Sequence, residues 1–252
     1  MARNWMKTMF LAAVLLTTMA PAAMAQEGSA QGGLGKSFWQ LQWDASFSDP
    51  VGAADILSIL IGSIAGIALI VEHGLTIRRK VMLPELTIAQ IKTMFDERRF
   101  REALEFCQND PSYVAAVIHA GLIEAANGYG AMEKAMGDAA EERSARLFRK
   151  IEYLNLIGNI CPMLGLFGTV YGMMICFHTI ANKGGTASPT DLALGIMLAL
   201  FSTFLGLVAA MPALTGYAIY KNRIDQLGIE ATIVASELLA NFKPSRAAQK
   251  QG

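Results

Sequence analysis

Charge is scarce in this sequence. Charged residues make up 17% of the 252, against about 25% in an ordinary soluble domain. The deficit comes from long uncharged runs, so the class is a polytopic membrane protein rather than a soluble one. No Asp, Glu, Lys, Arg or His lies in the middle of any of those runs. Intramembrane ionisable groups are the usual mark of an ion path. The chain is therefore not expected to carry protons through carboxylates of its own. The three cysteines, Cys107, Cys161 and Cys176, show neither metal-ligand spacing nor a disulfide framework. Structural roles are expected for all three, with no metal and no cofactor. No nucleophile–base pair is evident and the glycines lie in spans rather than in strand-to-helix loops, so no enzyme is expected. A formal net charge of zero gives no argument for a nucleic-acid partner, and none is expected.

What is present is a patterned apolar segment, Ile157–Phe177. Small residues recur at Gly158, Cys161, Gly165, Gly168, Gly172 and Cys176, in steps of three and four. That spacing gathers them on one helical face, and in lipid such a face admits the backbone of another helix. Thr169 sits beside the face, and Pro162 removes a backbone donor upstream. A second segment, Leu192–Tyr220, repeats the pattern with Gly195, Ala199, Ser202, Gly206, Ala209, Ala213 and Gly216. Thr203 adjoins this second seam and Pro212 lies within it. The simplest reading of the hydroxyls is packing, because Ser and Thr in membrane helices often bond their own i−4 carbonyl.

Along the chain, Met1–Ala25 reads as a signal peptide, with Arg3 and Lys7 before an apolar stretch and Ala23-Met24-Ala25 as a cleavage site. An uncleaved anchor is the rival reading. Residues 26–50 form a short exported segment. The first mature span is expected over 51–71, with Asp55 near its outer end at the headgroups. Residues 72–153 are expected to be a helical cytoplasmic domain, with Asp110-Pro111 as a helix start. The second span (154–181) belongs to one long helix over roughly 131–181. A periplasmic turn follows (182–191), then the third span (192–220) and a cytoplasmic helix and tail (221–252). Basic residues near the spans set the orientation. Arg78, Arg79, Lys80, Arg143, Arg146, Arg149, Lys150, Lys221 and Arg223 lie on one side, against Lys36 and Lys183 on the other. The first side is expected to be cytoplasmic, with the mature amino terminus periplasmic. Glu152, His178 and Asp191 stand at the mouths of the spans, where a snorkelling role is the plainer reading.

The run IGNICPMLGLFGTVYGMMICFHTIA, followed by ALGIMLALFSTFLGLVAAMPALTGYAIYKNRID, resembles the paired signature of the MotA/TolQ/ExbB proton-channel family, nearest its ExbB–TolQ branch. The resemblance is strong over about residues 151–225 and looser over 51–150. It implies an all-α protein of three membrane helices, the second and third long and reaching into the cytoplasm, in the bacterial inner membrane. It implies a ring of identical subunits, five in this family. It also implies a partner related to ExbD, TolR or MotB whose single span carries an essential Asp, and a TonB-like protein beyond it. By motif, Thr169 and Thr203 match pore-facing threonines, and Pro162 and Pro212 match prolines of the conformational cycle. Ser202 and Leu198 join the candidate pore lining. Leu198 is a departure, because many ExbB and TolQ relatives carry Glu at that position. Gly158, Gly165, Gly168, Gly172, Gly195 and Gly206 are the expected close-packing positions. The implied function is a proton-channel or stator subunit that couples the proton-motive force to TonB-dependent import or Tol-like envelope work. The alternatives are a non-conducting oligomeric scaffold, or an engine for motility or secretion.

Overall fold

The computed structural model describes residues 49–186 and 188–239, without the side chains of Thr190, Asp191 and Leu194. The expected signal peptide, nearly all of the exported segment and the tail after Leu239 lie outside the described residues. Those residues form helices and turns, with no strand among them. The helices are α1 (Pro50–Thr76), α2 (Arg79–Met82), α3 (Glu85–Asp96), α4 (Phe100–Asn109), α5 (Tyr113–Ile123), α6 (Tyr129–Asn182) and α7 (Pro189–Leu239). Stretches of α1, α6 and α7 are long and apolar enough to cross a membrane. The protein is thus an all-α polytopic membrane protein. With 54 and 51 residues, α6 and α7 are more than twice as long as a crossing of about 20 residues requires.

The described residues divide into two compact units, one of 49–71 with Tyr153–Tyr217, the other of Glu72–Glu152 with 218–239. In the first unit, α1 packs against the spanning parts of α6 and α7. Its inner face runs through Asp55, Ile56, Ile59, Gly66 and Ile70, all buried, while Leu57, Ile61, Ile64 and Val71 face outward. Ile59, Cys161, Ala209 and Ala210 make one apolar cluster, and Ile56, Leu198 and Phe201 another. The turn between α6 and α7 rests on Gly184 and Gly185, at φ 58° and 84°. The Gly185 amide donates back to the Ile180 carbonyl across 3.0 Å, closing the last turn of α6 as a glycine cap does.

In the second unit, the short helices α3, α4 and α5 bury Ile91, Phe95, Ala103, Cys107, Val114 and Ile118. The start of α5 differs from expectation. Asp110 is not its cap: it ends α4 in an extended conformation (φ −86°, ψ 121°), as a residue before proline prefers. Ser112 takes the cap, its hydroxyl accepting from the Ala115 amide at 3.3 Å. The Asp110 carboxylate instead accepts from the Ser112 amide (2.7 Å) and the Thr87 hydroxyl (2.9 Å). Burial alone would raise its pKa, but the bonds from Ser112 and Thr87 outweigh burial and leave it below the usual value. The neighbouring Cys107 thiol is pushed up to about 12, first by burial and then by the Asp110 charge, which leaves it inert at neutral pH. His73 is buried, with Nε2 3.2 Å from the Lys150 carbonyl and its ring edge-on to Tyr220 at 6.0 Å between centroids.

Candidate functional site

The site lies in the first unit, where α6 and α7 meet face to face through their small residues. A Cβ added at Gly165 would stand 3.0 Å from the Thr203 Cα, and one at Gly206 would stand 2.6 Å from the Cys161 carbonyl oxygen. At Gly172 it would meet the Ala199 Cβ at 2.9 Å. At Gly195 it would run into the Cys176 thiol, and at Gly158 into the Leu214 side chain. The obstacles at Gly165 and Gly206 are backbone atoms, which cannot swing aside. The glycines are therefore what allows the two backbones this separation, the usual basis of close association in lipid.

Thr203 occupies this crossing. Its hydroxyl donates across the interface to the Gly165 carbonyl at 3.1 Å and lies 3.4 Å from its own i−4 carbonyl, Ala199. Thr169, one turn beyond Gly165 on α6, donates to the Leu166 carbonyl at 2.6 Å. Each hydroxyl uses its single proton on backbone, and each oxygen keeps acceptor capacity. Pro162 is half-buried within α6 and Pro212 buried within α7. They remove the donors that the Gly158 and Val208 carbonyls would otherwise receive in a regular helix.

Ser202 and Leu198 are turned the other way, toward α1. Leu198 is buried against Ile56 and Phe201. Ser202 is 2% exposed and donates from Oγ to Asp55 Oδ2 at 2.6 Å. Asp55 itself is 6% exposed, its side chain buried inside the bundle. Its Oδ1 is buried and has no hydrogen-bond partner among the described residues. Gly168 of α6 faces the pair: a Cβ there would collide with both Ser202 Oγ and Asp55 Oδ2. The structure thus brings together Gly168, Ser202 and a carboxyl that the sequence reading set aside. The signal was available in the register of α1. Asp55 shares steps of four, three, four and four with Ile59, Gly62, Gly66 and Ile70, which places it on the packed face and not the lipid face.

Among the described residues no group of three or more His, Cys, Asp or Glu side chains is placed to hold a metal ion. What the arrangement offers is a hydroxyl-lined seam between two helices and one buried carboxyl beside it.

Comparison with known proteins covers this region. The MotA/TolQ/ExbB proton channel family matches residues 108–231. A biopolymer transport protein ExbB of Salmonella typhimurium is 40% identical over 110 residues, 39% of this chain and 45% of the relative. An ExbB of Pseudomonas putida is 32% identical over 180 residues, 64% of this chain and 53% of the relative. A Tol-Pal system protein TolQ of Pseudomonas aeruginosa is 35% identical over 94 residues, 37% of this chain and 40% of the relative. The chain spans about half the length of these curated relatives, or less. Residues 108–231, which hold both small-residue seams and both threonines, belong to the MotA/TolQ/ExbB proton channel family, on its ExbB–TolQ branch.

Proposed function

We propose that this chain is the multi-copy subunit of an inner-membrane engine that couples the proton-motive force to work in the envelope. The observation that carries this reading is Thr203 at the α6–α7 crossing, bonded to the Gly165 carbonyl within the segment the proton channel family matches. Its oxygen keeps a lone pair that can accept from a protonated carboxyl brought by another chain. A partner helix with a membrane Asp, like those of ExbD and TolR, fits that requirement. The outward residues of α7, Ile196, Leu200, Phe204, Leu207, Met211 and Leu214, repeat in steps of four and three. Such a stripe suits contact with lipid or with further helices of the same assembly. We read it as facing neighbours in a homo-oligomer, a pentamer by resemblance, with Thr169 and Thr203 toward the partner and the amino-terminal end of α1 outside.

A non-conducting scaffold is the competing reading, and one observation favours it. Both threonine hydroxyls are already bonded to backbone carbonyls, which is what packing alone requires. The two readings separate in proteoliposomes that hold the chain with the product of a neighbouring gene for a single-span, Asp-bearing protein. Proton uptake after an imposed potential is expected with the parent chain and not with Thr203→Val, while both chains still co-purify. Equal uptake in parent and variant would favour the scaffold. The client, whether TonB-like import, Tol-like envelope maintenance, motility or secretion, follows from which partner restores energised function in cells.

A further inference from the structure

The buried carboxyl of Asp55 is absorbed neither by the seam nor by the threonines. It sits on α1, six residues into a stretch otherwise made of Pro, Val, Gly, Ala, Ile, Leu and Ser up to Val71. Three helices close on it. Ser202 of α7 gives one hydrogen bond to Oδ2, Gly168 of α6 leaves the space the pair occupies, and Ile56, Leu198 and Phe201 wall the adjacent volume. Among the described residues, Oδ1 is buried without a partner. An ionised carboxylate has about four lone-pair sites to satisfy, and among the described residues one hydroxyl is all that reaches them. An unpaired charge in such surroundings is costly, and the group neutralises instead. Neutralisation needs one proton, and Oδ1 is the oxygen left to carry it.

We propose that Asp55 is a proton-binding site supplied by this chain itself, with Ser202 as its hydroxyl partner. The step is a simple protonation: the carboxylate takes one proton at Oδ1 from a hydronium ion, which leaves as water, and returns it to water as hydronium. Ser202 donates to Oδ2 in both states and loses nothing. A metal or alkali cation is a poorer occupant, because the pocket offers two carboxylate oxygens and one hydroxyl rather than a shell of ligands. The charged and titratable groups around it are few. On α1 the nearest is Asp49, just before the helix. On α6 it is Tyr171, which donates to Asp49 Oδ2 at 2.6 Å. Cys161 and Cys176 stand about two turns to either side of Gly168. On α7, Leu198, Ser202 and Leu205 face the site and none titrates. Leu198 matters here, since it precedes Ser202 by one turn and packs beside Ile56. An apolar residue on α7 and a carboxyl on α1 thus share one compartment.

The role in energy transduction rests on the proton-driven reading above, but the chemistry does not. The test needs only the full chain in membrane vesicles, without a partner. Dicyclohexylcarbodiimide attacks protonated carboxyls in apolar surroundings and leaves a stable adduct that mass spectrometry maps to a peptide. Adduct on the Asp55 peptide is expected at acid pH and should fall severalfold at alkaline pH, because the reagent needs the protonated carboxyl. Infrared difference spectra between the two pH values should show a protonated-carboxyl band that Asp55→Asn removes. Asn keeps an oxygen for Ser202, so the fold survives the change. Absence of adduct at every pH, or adduct that does not vary with pH, overturns the proposal. Protection by sodium at fixed pH overturns it also, in favour of a cation site. Failure of proton flux with an intact Asp55 titration would count against the engine reading alone.

Discussion

The Thr203 hydroxyl of α7 donates to the Gly165 carbonyl of α6 across 3.1 Å, at a point where a Cβ on Gly165 would stand 3.0 Å from the Thr203 Cα. The hydrogen bond exists because the glycine does. A side chain at 165 would push α7 outward and stretch the bond beyond its useful range. Packing and the placement of the hydroxyl are one structural fact.

The seam predicts an uneven response to small substitutions. At Gly206 an added methyl meets the Cys161 carbonyl oxygen at 2.6 Å. At Gly66 of α1 it meets the Ile157 Cγ2 at 3.5 Å and the Ala213 Cβ at 3.9 Å. Gly206→Ala should therefore lower stability by about 1–3 kcal/mol through overpacking. Gly66→Ala should be neutral or stabilising by up to about 1 kcal/mol, from helix propensity in ordinary contact. Thermal unfolding of both variants in one detergent checks the contrast. Equal effects would mean that the α6–α7 approach is looser than described.

Leu198 predicts a limit on carboxylates in the first unit. It is buried with Ile56 and Phe201, one turn before the serine that bonds Asp55. Leu198→Glu brings a second carboxyl into a compartment that already holds one. Two like groups there cannot both ionise without large cost, and the glutamate also disrupts apolar packing. The single variant should lower folded yield severalfold, and adding Asp55→Asn should recover part of the loss. A double variant no better than Leu198→Glu alone would mean that lost packing, not the second carboxyl, causes the damage.

Asp110 predicts an acid dependence in the second unit. Its folded pKa lies below the usual value, because bonds from Ser112 and Thr87 outweigh burial. The sign follows from linkage: a depressed carboxylate stabilises the fold above its unfolded pKa of about 3.9, and the contribution is lost as pH falls through the folded value. Asp110→Ala strips the acceptor from the Ser112 amide and the Thr87 hydroxyl. It should cost about 1–3 kcal/mol at neutral pH. The gap between variant and parent should narrow below about pH 4. Denaturant unfolding monitored by helix content at the two pH values tests this, and a gap independent of pH would assign the loss to helix geometry instead.

Much of this architecture was legible in residue spacing. The steps of three and four through Gly158–Cys176 and Gly195–Gly216 required two helices with matching small faces, and the glycine contacts are made across that interface. The uninterrupted helical pattern from about residue 131 foretold a helix that runs from Tyr129 to Asn182. Two readings went differently, each for a reason of geometry. Asp110-Pro111 has the residue types of a helix start, but α5 begins at Tyr113 with Ser112 as its cap, and the Asp110 carboxylate is taken up by the Ser112 amide and the Thr87 hydroxyl. Asp55 stands near the outer end of α1, but its rotational position turns the carboxyl into the bundle and buries it there. That Ser202 and Leu198 turn toward α1 while Thr203 turns toward α6 was not legible, because adjacent residues on a helix differ by about 100° and their partners lie far away in sequence.

The most direct test is proton flux through the reconstituted complex with Thr203 varied. Thr203→Ser keeps the hydroxyl and Thr203→Val keeps the shape without it. Flux close to parent in the first, and reduced by about a hundredfold or more in the second, is the expected result, at the lower end of the range for a positioned proton-transfer group. Full flux from Thr203→Val, with the complex intact, would contradict a proton route past this hydroxyl and leave the α6–α7 seam as packing alone.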